Sequence, residues 1–249
     1  MYTLRRGADG RLHGPCNKKV FGTFGSRKSA NRWARAQATR RGFLHETDKT
    51  VQIVIDGEIC LEQRLRRLFR TAIVTLDVRH AQEKLWEVGR LFYPEGSAEL
   101  SRWVEELEEL LYKGHVRALL QRLEQELRGV SLRGPGTKEK REVLEKVMSY
   151  LEARVKLMDY GRLRKEDLVI ASGVVEGAAR YVVGERMDNS GMRWIEERAE
   201  PVLLLRCIEV NGDWESFMRR SQEQRNRELE RGQVVQIRSK TPTHIPKAA

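Results

Sequence analysis

The sequence predicts an α/β fold carrying a large all-α insertion. Three observations predict it. Two short β-branched runs, VQIVI at Val51–Ile55 and AIVTL at Ala72–Leu76, are each followed by an aspartate. Their length and branching suit buried strands better than helices. Helix-period patterning then runs almost unbroken from about His80. Ahead of both, the first 24 residues alternate short extended stretches with Gly and Pro.

In chain order, Tyr2–Arg6 and Lys18–Phe24 read as two strands around a Gly/Pro-rich connection with a turn at Ala8-Asp9-Gly10. Ser26 is a fitting N-cap for a helix over Ala30–Arg41, and Gly42 ends it. Leu61–Phe69 is a short amphipathic helix between the two buried strands. Beyond His80, Leu85, Val88, Leu91 and Phe92 share one helical face, and Trp103, Leu107, Leu110 and Leu111 another. Arg128–Thr137 is a loop, with three glycines and a proline. Val143, Val147, Leu151 and Val155 predict a helix over Lys138–Tyr160. After the apolar piece Leu168–Ala171, helices are expected at 174–186, 195–210 and 214–231, and disorder from Thr241. The expected division is 1–79 and 166–220 for the two parts of the α/β domain. The helical insertion occupies 80–165, and a polar helix and tail occupy 221–249.

Composition narrows the function. Of the 249 residues, 40% are apolar and 33% charged, too many apolar for a wholly disordered chain. No uncharged apolar run reaches the ~18 residues of a membrane span, and MYTLRRGADG lacks a signal peptide's apolar core, so no membrane partner is expected. Cys16, Cys60 and Cys207 lie far apart, which argues against a zinc ribbon or a disulfide scaffold and fits a reducing cytoplasm. The net charge of +11 is concentrated at the start: Met1–Thr50 carries 12 Lys and Arg against 3 Asp and Glu. Such asymmetry points to a polyanionic partner; a solvated basic face is the plain alternative.

Asp56 follows VQIVI and precedes Gly57, so it stands where open α/β sheets place their sites, or simply starts a loop. Asp77 ends the second run with His80 one turn on. They are either a metal-ligand or proton-transfer pair, or an N-cap with a helix-dipole partner. Glu176 sits among Val174, Val175, Gly177 and Ala178 and is either a first-turn helix charge or a functional carboxylate. Arg180, four residues on, is its candidate ion-pair partner. Arg193 and Trp194 suit contact with phosphate and base, or a core plug. No Walker, GxSxG, HExxH or EF-hand pattern occurs. Acids ending adjacent strands plus a distant glutamate form a carboxylate pattern for two-metal phosphoryl chemistry with Mg²⁺ or Mn²⁺.

At these residues the chain resembles insertion-sequence transposases of the Asp-Asp-Glu class, in their Kra-type branch. The matching stretches are GPCNKKVFGTF, KTVQIVIDGE, TLDVRHAQEKLW, ASGVVEGAARYVV, SGMRWIEERAE and LRCIEVNGDWESF, in the family's order and reaching to about Phe217. The resemblance implies an RNase H-like catalytic domain with a helical insertion before its last acid. It makes Asp56 and Glu176 the catalytic, metal-holding carboxylates and Asp77 and His80 an auxiliary Asp-x-x-His motif. Lys18, Lys19, Arg180, Arg193 and Trp194 become expected DNA contacts.

The family's first catalytic aspartate lies on a strand upstream of the one matched by MYTLRRG, and Asp9 does not take its place. A transposase truncated at its N-terminus is therefore expected, its first strand missing, with an incomplete two-metal site and little strand transfer. Its partners would be double-stranded DNA at element ends and target, and further copies of the chain in a DNA complex. Its place would be the nucleoid in the cytoplasm. The alternative is a non-catalytic DNA-binding fragment that regulates or inhibits a full-length transposase. RNA binding is a weaker third reading, because the aromatics are scattered.

Overall fold

The computed structural model describes residues 1–44, 49–188 and 193–231. It is α/β. Strands β1 (Thr3–Arg6) and β2 (Leu12–Cys16) pair antiparallel, and β3 (Gln52–Ile55) and β4 (Ile73–Leu76) pair parallel as a separate two-stranded sheet. The helices are α1 (Arg27–Arg40), α2 (Ile59–Leu68), α3 (Val78–Gly89), α4 (Ala98–Tyr112) and α5 (Val116–Gly129). They continue with α6 (Thr137–Glu152), α7 (Tyr160–Lys165), α8 (Gly173–Ala179), α9 (Glu196–Val210) and α10 (Trp214–Glu230). No helix among the described residues is long and apolar enough to cross a membrane.

The parallel pair forms as its sequence predicts. Gln52 is opposite Ile73 and Ile55 opposite Leu76, and α2 is the crossover between the strands. Successive residues alternate faces, so Ile55, Val74 and Leu76 enter the core together. That core continues without a break into α3–α7. Leu85, Leu100, Leu107, Leu111, Leu119 and Leu123 are fully buried with the strand residues in one cluster, so the helical section is packed onto the sheet. A second, small cluster joins Ala199, Leu203 and Cys207 of α9 to Val182 and Met187, with Val20 and Trp194 against it.

Three expected elements differ. The second strand is Leu12–Cys16, because the Gly7–Gly10 turn closes tightly, with Gly7 N–H donating to Arg11 O and Gly10 N–H to Gly7 O. Lys18–Phe24 forms no strand: Lys19 alone exchanges backbone bonds with Met1 (2.8 Å each way). The N–H groups of Val20, Gly22 and Phe24 donate instead to Asn211 Oδ1, Cys207 Sγ and Glu200 Oε2, side chains on α9 and the turn after it. The helix expected to reach Tyr160 stops at Glu152, and a 3₁₀ turn (Val155–Leu157) redirects the chain into α7. The helix expected over 174–186 is α8 followed by a π-helix over Arg180–Asp188. Gly191, Met192 and the tail from Thr241 lie outside the described residues.

Candidate functional site

The parallel register places Gln52, Val54 and Asp56 on the same sheet face as Ile73, Thr75 and Asp77. Asp56 and Asp77 thus leave the C-terminal ends of neighbouring strands side by side, where open α/β sheets put their sites. Their environments differ. Asp56 is exposed, and its Oδ1 accepts the N–H of Glu58 (3.1 Å). Asp77 is 2% exposed and saturated. Its Oδ1 accepts Arg79 N–H (2.9 Å) as the N-cap of α3. Its Oδ2 accepts Ser172 N–H (3.0 Å) and the Ser172 hydroxyl.

Those bonds return a distant segment to the strand ends. The Gln52 side-chain amide holds Val169 as a strand would: Oε1 accepts Val169 N–H (2.9 Å) while Nε2 donates to Val169 O (2.6 Å) and to Thr75 Oγ1 (3.0 Å). Val78 N–H donates to Ile170 O (2.9 Å). The segment from Leu168 is therefore laid across the polar face and fastened at Ser172, the residue before α8. One turn into α8, Glu176 points to solvent and meets Arg79 of α3, Nε to Oε1 3.5 Å. The predicted partner Arg180 is exposed and makes no ion pair among the described residues. At this exposure the Arg79–Glu176 pair contributes little to stability, but it records where the carboxylate stands.

The loop after Asp56 is clamped by the last turns of α6 and the residues that follow it. Tyr150 O–H donates to Asp56 O (3.1 Å), and Arg154 Nε–H to Gly57 O (2.7 Å) while its guanidinium lies 3.8 Å from the Tyr150 ring centroid. Gly57 has φ +90°, and a Cβ there would lie 2.6 Å from Tyr150 Oη, so only glycine fits. Burial raises the Tyr150 pKa. Arg154 opposes the shift, while the Asp56 and Glu83 carboxylates reinforce it, which places both acids near the phenol.

His80 is half-buried and its Nδ1 lies 3.1 Å from Glu83 Oε2, while Asp77 is turned inward to Ser172. Of the two readings of Asp77, the geometry shows the N-cap. Among the expected DNA contacts, Lys18 and Arg193 are exposed. Lys19 is instead committed to the turn after α9, donating to Asn211 O (2.8 Å) and Asp213 Oδ1 (2.7 Å). Trp194 packs on the small core and donates Nε1–H to Met187 O (3.1 Å).

Asp56 and Glu176 are thus exposed carboxylates, one at the end of β3 and the other one turn into a helix anchored at the end of β4. Carboxylate oxygens suit Mg²⁺ and Mn²⁺. Among the described residues no three His, Cys, Asp or Glu side chains converge as a ready ion site. Gln52, Arg79, Tyr150, Arg154 and Ser172 were not singled out from sequence. A polar Gln inside a β-branched strand was the one available signal. No family model, curated protein or solved structure matches the chain.

Proposed function

We propose that the chain carries the DNA cleavage and strand-transfer site of an insertion-sequence transposase of the Asp-Asp-Glu class, in a poorly active form. The observation that supports this reading is the tether between Asp77 and Ser172, 95 positions apart, which anchors α8, the helix of Glu176, at the end of β4, the strand paired with the one that Asp56 follows. The two separate sheets also suit an RNase H-like sheet, in which an antiparallel hairpin and a parallel pair flank a central strand. Asp56 and Glu176 are the residues that would hold Mg²⁺ or Mn²⁺. When bound, such ions activate the attacking oxygen and stabilise the leaving one. Asp77 positions both α3 and α8 and is not itself a ligand. Arg79 holds the Glu176 carboxylate over α3. Tyr150 and Arg154 fix the loop that presents Asp56.

Low activity is expected because two carboxylates bind such ions more weakly than three. The test is nicking and joining of duplex DNA in Mg²⁺ or Mn²⁺ by the chain, by Asp56→Ala and by Glu176→Ala. Weak activity lost in both variants supports the proposal. Activity that survives both substitutions refutes it.

A second reading, a non-catalytic DNA-binding fragment that inhibits a full-length transposase, is favoured by one observation: the basic block is exposed while no three-ligand group forms among the described residues. Salt-dependent duplex binding without any cleavage, indifferent to both alanine substitutions, would select it.

A further inference from the structure

Helix α1, RKSANRWARAQATR, has no acidic residue. Lys28, Arg32 and Arg35 stand at i, i+4 and i+7, so they line one face, and all three are exposed. Among the described residues none of the three side chains meets a carboxylate or another hydrogen-bond partner. Several helical cations elsewhere in the chain are instead neutralised by a carboxylate. Arg122 pairs with Glu126, Arg128 with Glu124 and Arg162 with Glu166, each within its own helix or at its end. On α1, Lys28 and Arg32, and Arg32 and Arg35, repel at the same spacings. Lys28 also puts positive charge on the first turn, the end where the helix dipole favours anions, while its neighbour Arg27 is paired with Glu58. This arrangement is unfavourable for the free helix and favourable once a polyanion lies along it.

We infer that the outer face of α1 is a docking surface for the phosphate backbone of duplex DNA, read without regard to sequence. The inference rests on the DNA reading above and narrows its basic block to one helix face. The stripe is about 10 Å long at 1.5 Å per residue, and a duplex carries one charge per about 1.7 Å. About six phosphate charges therefore lie within reach of three cations. The opposite face of α1 excludes two other polyanions. Trp33 is stacked on Phe21, centroids 5.3 Å apart and planes at 18°, so neither ring offers a free platform for unpaired bases. Ala38 is fully buried in the main core, so α1 has no apolar face left to enter a lipid surface.

The test is binding of a fluorescent duplex of arbitrary sequence between about 50 and 200 mM salt. The triple variant Lys28→Gln, Arg32→Gln, Arg35→Gln should lower the slope of log K against log salt by about 2.7, from 0.9 per lost phosphate contact. Arg32→Gln alone should lower it by about 0.9, which keeps the test available if the triple variant fails to fold. The control Arg128→Gln, Lys138→Gln, Lys146→Gln removes the same net charge from the helical section and should leave the slope unchanged. A wild-type slope in the stripe variants, or an equal drop in the control, overturns the inference while leaving the DNA reading standing. Stripe-dependent binding to phosphatidylserine vesicles with stripe-independent binding to duplex also overturns it. No duplex binding by the unaltered chain overturns both this inference and the DNA reading.

Discussion

Asp77 is the residue on which the site's geometry most depends, and its removal has a calculable cost. Asp77→Ala deletes the N-cap of α3, about 1 kcal/mol. It also deletes the bonds to Ser172, and hydrogen bonds to a charged group contribute about 1.5–3 kcal/mol each. Ser172 is half-buried, so water recovers part of that loss. A net cost of about 3–5 kcal/mol follows. Asp77→Asn is more informative. Its carbonyl keeps the bond from Arg79 N–H (2.9 Å), but its amide then faces the Ser172 N–H, donor against donor. The Ser172 hydroxyl can rotate and accept, so one charge-assisted bond is lost, about 1.5–3 kcal/mol. At about 2–4 °C per kcal/mol for a chain of this size, melting should fall by about 3–12 °C. Amide exchange should quicken selectively at 172–176, because the tether and not the core is loosened. Urea unfolding and hydrogen exchange measure both. An Asn variant as stable as the parent, with exchange at 172–176 unchanged, would show that Asp77 does not hold α8.

Three further outcomes are expected. Gly57→Ala combines φ +90° with a Cβ 2.6 Å from Tyr150 Oη and 2.7 Å from Arg154 Nε, and should cost about 2–4 kcal/mol in urea unfolding. Burial, and behind it the Asp77 carboxylate, hold the Tyr160 phenol far above its ordinary value. Its contribution is therefore whole below pH ~10, the unfolded tyrosine value, and is lost as pH climbs further. Tyr160→Phe, which removes the bond to Leu76 O (2.9 Å), should cost about 1 kcal/mol at neutral pH and make the decline above pH ~10 shallower, as read by unfolding at two pH values. Thiol labelling of the native chain should modify exposed Cys60 first and Cys207 last, since burial both covers the Cys207 thiol and raises its pKa; peptide mapping of the labelled sites reads the order.

What could be read from sequence divides along local and non-local lines. The strands at 52–55 and 73–76, the helix after Ser26 and the helices from α3 to α5 follow from short-range pattern and form, although Ser26 makes no side-chain capping bond. The errors share a cause. Lys18–Phe24 has the pattern of a strand, yet apart from Lys19, which pairs with Met1, its partners are side chains of α9 and the turn after it, more than 170 positions away. Gly14-Pro15 falls in the expected connection between the first two strands but sits in β2, whose pairing is decided by the preceding Gly7–Gly10 turn. For Glu176 an in-helix pair with Arg180 was the plain alternative to a functional carboxylate, and it meets Arg79 instead because Ser172 anchors α8 on Asp77. Lys19 was legible as a cation, but its engagement with Asp213 was not. The chemical types at the site were therefore readable, and the tertiary bonds that arrange them were not.

The central claim is that Asp56 and Glu176 serve one divalent-cation site. Mn²⁺ titration followed by water-proton relaxation tests it most directly, on the unaltered chain, Asp56→Ala, Glu176→Ala and the double variant. The account predicts that one site is lost in each single variant and that the double variant loses nothing more. Ion binding unchanged by either substitution, or losses that simply add in the double variant, would contradict it.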